Sequence, residues 1–527
     1  MKIKLNLKDY LPEVLLFSAL FAVVFFRWQF LDLHFFWDEA WVYGPAIKHI
    51  INNGWGIFPE TLPESISRGH PILFHAIYSI IPYALNNESN FIIHLSGLII
   101  NLTLVVGFYI SLKKLTTPWV GLIGALTLLV NGVFYAQINL ILPEILLGIS
   151  IFCAITFLSL NNLIWFSVFT AISLLVKESA VILPFSVLAY FLFDTLIGKD
   201  KNYQQLIRII VSLLSASLPV SIFFIIQFIQ RGYIFFPEHL GMIKLTYKYF
   251  RDNFELIYSF VFEEQGRYIA SYLLFLIICF FSNINWKKGL LVFAIAFTMV
   301  KIIFRAWSIS ALPNLIILSI LFGGFYYIAI YQQNRKSNNP RAIFLNVTFL
   351  FTICYFLFSS INFFTLRYTL PIIIVFTGFF SVWIFDQFRF KNYSFVPSLA
   401  FLISVLIYTL SPSNSKLGDT EVFYSDALYV QKDLYEYLVK NNLTNSSFYG
   451  NFTNEVALNN AQAGLVSDFA EVKNIGRFVL NQREYIIHSN YDEALNLDTL
   501  PFGFDTVKSF INERARIDLL KTKPPQP

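Results

Sequence analysis

The segment Trp37-Asp38-Glu39-Ala40-Trp41 lies just past the first apolar stretch of this 527-residue chain. Two adjacent carboxylates at a membrane surface are expensive to place. Asp38 fits a general base that removes a proton from an acceptor hydroxyl, with Glu39 tuning it or binding the substrate sugar. Such a base is worth roughly 10²–10⁴ in rate. The flanking Phe35, Phe36, Trp37, Trp41 and Tyr43 suit a partly buried pocket or a sugar-stacking wall. They also suit an interfacial aromatic belt, and acids at a helix N-terminus are the plainer alternative for the pair itself. Glu144 follows Pro143 at the start of another apolar stretch. A carboxylate entering an apolar helix costs about 2.5–3.5 kcal/mol on insertion scales, and so tends to have a partner or a task.

A third group is cationic. Arg68, Lys177, Arg231, Arg267, Arg305 and Arg367 all fall at or near the outer ends of apolar stretches, where most loop cations do not. Cations so placed are what a lipid-linked phosphate needs, because a departing phosphate is stable as an anion and calls for charge rather than a strong acid. For any one of them, snorkelling to a lipid headgroup is the alternative. His34, His49, His70, His75 and His94 cluster in or beside the first long loop, but no pair has the i,i+4 spacing of a helical metal site, and no metal is expected. His70, in Arg68-Gly69-His70-Pro71, suits a hydrogen bond to phosphate or sugar instead. Cys153, Cys279 and Cys354 lie within apolar stretches and read as packing residues. The Asn-x-Ser/Thr triplets at Asn442, Asn445 and Asn451 are expected by chance in an Asn-rich tail.

These residues need a scaffold, and the composition describes it. The chain is 56% hydrophobic and only 13% charged, about half the charge of a soluble protein. Apolar runs of spanning length predict about thirteen transmembrane helices. They cover residues 11–31, 91–112, 118–134, 142–160, 163–176, 180–197, 206–228, 268–281, 289–304, 309–330, 343–360, 370–385 and 395–410. The first follows Lys2, Lys4 and Lys8 and reads as a retained anchor. With those lysines in the cytoplasm, alternate loops carry Lys113/Lys114, Lys199/Lys201, Lys287/Lys288, Arg335/Lys336/Arg341 and Arg389/Lys391, as the positive-inside rule requires, and only the Asn161-Asn162 turn on that side is uncharged. The Asp38 loop (32–90) and the tail then lie outside the cytoplasm. Within that loop, residues 71–85 are apolar but short and proline-flanked, and predict a helix lying in or dipping into the outer leaflet.

Residues 411–527 are polar and contain no span. An amphipathic helix is expected over 424–440, strands over 447–452 and 483–488, and a closing helix over 505–520. The predicted fold is therefore an α-helical polytopic membrane protein, with a transmembrane domain over 1–410 and a small C-terminal extracytoplasmic α/β domain over 411–527. No nucleotide-binding glycine loop and no internal repeat is present.

At four places in order the chain resembles the C-type superfamily of polytopic glycosyltransferases, the protein O-mannosyltransferases and lipid A aminoarabinose transferases among them. These are Asp38-Glu39 after the first span; Gly69-His70-Pro71 heading the interfacial helix; Tyr135 through Pro143-Glu144, followed by Lys177-Glu178; and Leu366-Arg367-Tyr368-Thr369-Leu370-Pro371 opening a late span. The resemblance covers residues 10–410; many relatives have Asp where Glu144 stands. It implies a membrane glycosyltransferase of the inner membrane that takes a sugar from a polyprenyl-phosphate donor to a lipid, glycan or protein hydroxyl on the extracytoplasmic face. Transfer would be a single inverting displacement with Asp38 as base. Glu39, Arg68, His70, Glu144, Lys177, Arg367 and Tyr368 would bind substrate, with no cofactor and no nucleic-acid partner. A transporter or flippase would predict inverted repeats and broken helices in pairs. An oligosaccharide ligase and a non-catalytic assembly scaffold are the other rivals.

Overall fold

The computed structural model describes residues 10–197, 202–262, 339–362, 365–388, 417–466, 472, 474–476, 483–492 and 503–523. The chain divides into two compact units. One comprises residues 1–21, 103–131 and 143–412, the other 22–102, 132–142 and 413–527.

Six described helices are long and apolar enough to cross a membrane: Leu11–Phe30, Asn90–Leu115, Glu178–Leu196, Tyr203–Arg231, Pro340–Ile361 and Leu366–Phe385. Three shorter apolar helices, Pro118–Leu129, Glu144–Ser159 and Leu163–Val176, accompany them. The chain is an integral membrane protein. The expected spans 268–281, 289–304, 309–330 and 395–410 lie outside the described residues. The expected span over 118–134 stops at Leu129 and resumes as the short helix Gly132–Gln137. Twelve residues of helix reach about 18 Å, well short of a hydrocarbon core about 30 Å thick.

Local chemistry sets the helix starts. Thr117 accepts from the Val120 amide ahead of Pro118, Asn162 from Trp165, Asn202 from Gln205, and Asn339 from Arg341 ahead of Pro340. Each is a short polar side chain at an N-cap, with proline tolerated at the first turn because that amide needs no partner. In the first unit the buried helix Glu144–Ser159 packs against both Leu163–Val176 and Leu370–Phe388. Glycines set the approach. A methyl group at Gly148 would meet the Pro371 backbone at 3.0 Å, and one at Gly378 would collide with the Phe152 ring. Small residues at such seams let helices close without a hydrophobic drive from water.

In the second unit the segment expected to form one interfacial helix over 71–85 is two short helices, Leu73–Tyr78 and Ile80–Leu85, separated at Ser79. The first is buried through Phe74, His75, Ala76 and Tyr78; the second exposes Ile80, Tyr83 and Leu85. The tail forms a sheet in the order β2-β1-β3-β5-β4, with strands β1 (Phe448–Gly450), β2 (Ile475–Gly476), β3 (Tyr485–Ser489), β4 (Phe504–Asn512) and β5 (Ala515–Thr522). β1 pairs parallel with β2 and β3, while β5 pairs antiparallel with β3 and β4. The helix Ser425–Lys440 matches the amphipathic expectation. The expected closing helix over 505–520 is instead the β4–β5 hairpin. Its tip places Glu513 at φ 39° with no glycine to mark the turn. Ala515, Ile517 and Leu519 are buried at alternate positions, the period of a strand.

Candidate functional site

Asp38 sits on a turn whose backbone is unusual. The chain leaves the helix Leu11–Arg27, makes a single turn at Trp28–Phe30, and reverses at Trp37, a bulky residue held at φ 52°. A left-handed conformation at such a residue costs about 1–3 kcal/mol and persists only where the surroundings fix it. Asp38 then caps Glu39–Tyr43, a π-helical turn that runs into the helix Gly44–Asn53. π-turns inside helices are frequent at functional sites.

Glu39 is fully buried and closes the turn from inside. Its carboxylate accepts from the Ile141 amide at 2.7 Å, from His94 Nε2 at 3.1 Å and from the Phe36 amide at 3.3 Å. The other nitrogen of His94 faces the Leu31 carbonyl at 2.9 Å. Both oxygens of Glu39 are therefore engaged by protein groups, while Asp38 is half-buried at the turn. The adjacent carboxylates differ in burial because the helical turn rotates successive side chains apart.

Arg68 joins this group. It takes a left-handed conformation (φ 46°) before Gly69 (φ 74°), and its guanidinium lies 4.7 Å from the centre of the Trp41 ring. His70 is half-buried beside it, its amide donating to the Ser67 carbonyl. His75 is buried, stacks on Tyr43 with ring centres 5.7 Å apart, and has no hydrogen-bond partner for either ring nitrogen. Burial, with a smaller contribution from His70, pushes its pKa down to about 3.

The end of the helix Gly132–Gln137 and the buried non-helical segment after it leave backbone and side-chain polar groups that need partners. Side chains from four elements supply them. Arg27 donates to the Tyr135 carbonyl and lies 4.1 Å over the Tyr135 ring. Asn101 donates to the Ile138 carbonyl, Asn139 donates to the Tyr424 hydroxyl, and Glu39 takes the Ile141 amide. Burial pushes Tyr424 up to about 12, against the opposing effect of Arg27, so its phenol is neutral.

The remaining candidates lie in the first unit. Glu144 opens the helix Glu144–Ser159 just after Pro143, fully buried, and two cations converge on it. Lys177 Nζ is 3.1 Å and Arg367 Nε 3.5 Å from the same carboxylate oxygen. Arg367 is buried on the 3-10 turn Leu366–Thr369 that starts the helix Leu370–Phe388. Tyr368 lies beside both: Lys177 Nζ is 3.5 Å from its ring centre and the Arg367 guanidinium carbon 5.2 Å. Lys177 ends the helix Leu163–Val176. Three chain segments far apart in sequence thus bring two cations, one carboxylate and an aromatic ring together.

The eight candidates form two groups, Asp38, Glu39, Arg68 and His70 in one unit and Glu144, Lys177, Arg367 and Tyr368 in the other. Among the cations singled out beside them, Arg231 is half-buried at the end of the helix Tyr203–Arg231, while Arg267 and Arg305 lie outside the described residues. Arg27, Asn101, Tyr424 and Gln431, whose side-chain oxygen pairs with His34 Nε2 at 2.9 Å, are structural partners that the sequence did not single out. Arg27 carried a signal, as a cation inside an apolar stretch. The other three carried none, because neutral polar residues gain meaning only from what faces them.

No family model matches the chain, and no curated protein matches its sequence. Among solved structures, that of ArnT from Cupriavidus metallidurans bound to undecaprenyl phosphate aligns with TM-score 0.50 at 12% identity, covering 96% of this chain and 97% of that one. ArnT from the same organism in the apo state aligns with TM-score 0.39 at 13% identity over the same shares of the two chains. The first likeness shows that this chain shares the fold of that ArnT structure.

Proposed function

We propose that this chain is a membrane glycosyltransferase that moves a sugar from a polyprenyl-phosphate donor to an acceptor hydroxyl on the extracytoplasmic face. The observation that carries the reading is the division of labour in the carboxylate pair: Glu39 is buried and held by three protein donors, while Asp38 stays half-buried on the turn that Glu39 fixes. A base needs a fixed position and access to its substrate, and this arrangement supplies both.

In this reading Asp38 takes the proton of the acceptor hydroxyl. The hydroxyl oxygen forms a bond to the anomeric carbon as the bond from that carbon to the phosphate oxygen breaks, with inversion. The polyprenyl phosphate leaves with the electron pair. Lys177 and Arg367 hold the phosphate, with Glu144 positioning both cations and Tyr368 flanking them. Arg68 and His70 contact phosphate or sugar. Glu39 acts through Asp38 as a positioning residue. Undecaprenyl phosphate in the ArnT structure of like fold supports the donor class; the ordered motifs support the reaction.

The test is Asp38→Asn in the full chain. It should abolish transfer, a loss of about 10³-fold on the scale of general-base catalysis, with the melting temperature unchanged. Mass analysis of lipid-linked sugars accumulating in cells without the protein names the donor. Near-normal transfer by the Asn variant sinks the assignment.

A further inference from the structure

The C-terminal sheet has a topological switch point. From β1 the chain moves to β2 on one side and then to β3 on the other, all three parallel. In open α/β sheets such a point, beyond the carboxyl ends of the strands, is where ligands bind. Here those ends are Gly450 and Ser489. Residues that follow those ends join a polar relay: Gln431 donates to Asn454 Oδ1 at 3.1 Å, Tyr491 donates to the same oxygen at 3.0 Å, and the Gln431 carbonyl oxygen pairs with His34 Nε2 at 2.9 Å. His34 is four residues before Asp38. Phe452, the second residue after β1, lies against both Trp37 and Trp41, with ring centres 5.8 and 5.6 Å away. The Phe35 amide donates to the Ala463 carbonyl of the tail at 2.9 Å.

We infer that the tail's ligand crevice holds the Asp38 turn as its own internal ligand, so that His34, Gln431 and Phe452 are positioning residues for the base. The inference rests on the transfer reading above for the word base, but its contacts stand without it. The left-handed Trp37 is strained, and strain needs an outside clamp. The turn and its flanks meet the tail through a buried imidazole–amide bond, one backbone bond and three ring contacts, the third being Phe36 stacked on Tyr424 with ring centres 5.7 Å apart. Gln431 and Asn454 are fully buried, so each bond lost leaves a buried polar atom unpaired. Burial pushes the His34 pKa down to about 4, so the ring is neutral and donates through Nε2 to the Gln431 oxygen.

Hydrogen exchange on the full chain in lipid nanodiscs tests this without turnover, so its outcome is separate from that of Asp38→Asn. Gln431→Leu keeps the volume and removes both bonds. The amides of residues 35–43 should exchange about tenfold faster, with the helix Glu144–Ser159 unchanged. His34→Leu should do the same, whereas His34→Gln, which retains a donor, should exchange as the native chain does. Should Gln431→Leu fail to accumulate, Phe452→Leu gives the same local acceleration. Native exchange at residues 35–43 in the folded Leu variants overturns the inference. So does equal acceleration across β1 and β3, and so does a His34→Gln variant that behaves like His34→Leu.

Discussion

Replacing Glu39 separates a buried strut from a sugar ligand. Glu39→Ala strands three buried donors, the Ile141 and Phe36 amides and His94 Nε2. Each orphaned donor costs about 1–3 kcal/mol, so the loss is about 3–9 kcal/mol against a typical stability of about 5–15. This variant should not accumulate in folded form. Glu39→Gln is milder. Its one remaining oxygen can keep the two stronger partners, Ile141 and His94, leaving the new amide group against the Phe36 amide, whose bond at 3.3 Å is the longest of the three. Charge assistance, roughly half of each bond's strength, also goes. The net cost is about 2 kcal/mol, which corresponds to a fall in melting temperature of about 2 °C for a chain of this length. The assay is thermal unfolding of the detergent-solubilised full chain without substrate, followed by kinetics at a permissive temperature. A positioning role predicts the lowered melting point together with a reduced kcat at constant KM. A native melting point with a raised KM would refute the reasoning and place Glu39 on the substrate.

Glu144→Gln leaves Lys177 and Arg367 around an uncharged group, and should cost about 3 kcal/mol of stability in a melting assay, whereas Glu144→Asp should keep part of the pairing. Arg367→Met should weaken binding of undecaprenyl phosphate at least tenfold, read by native mass spectrometry; unchanged binding would remove Arg367 from the phosphate role. Stability should fall as pH drops from about 6.5 towards 4. Burial holds the folded pKa of His34 near 4 against an ordinary 6.5, so the unfolded chain takes up a proton that the folded one refuses. The contribution is complete above the ordinary value and about 3 kcal/mol is lost by pH 4, so His34→Gln should flatten the melting-temperature profile in that window. Gly378→Ala drives a methyl group into the Phe152 ring and should lower stability by about 1–3 kcal/mol, with Phe152→Leu restoring part of it.

Among the described residues, apolar run lengths placed several of the long helices but not their breaks at 130–131 and Ser79. Residues 163–176 were expected as a span and form a helix with those bounds, because in lipid a long apolar run has no other way to satisfy its backbone. The ordered motifs around Asp38, Glu144 and Arg367 pointed to the fold that the structural comparison then showed. The β4–β5 hairpin was misread because its tip uses Glu513 and Arg514 where a two-residue turn usually shows glycine, although the buried alternation of Ala515, Ile517 and Leu519 was there to see. The sequence alone determined which carboxylates and cations were costly enough to need a reason. It could not divide Asp38 from Glu39, which are neighbours of the same charge. Only the tertiary structure did that, since burial and hydrogen bonding depend on partners such as Ile141, 102 positions further along the chain, that local pattern cannot encode.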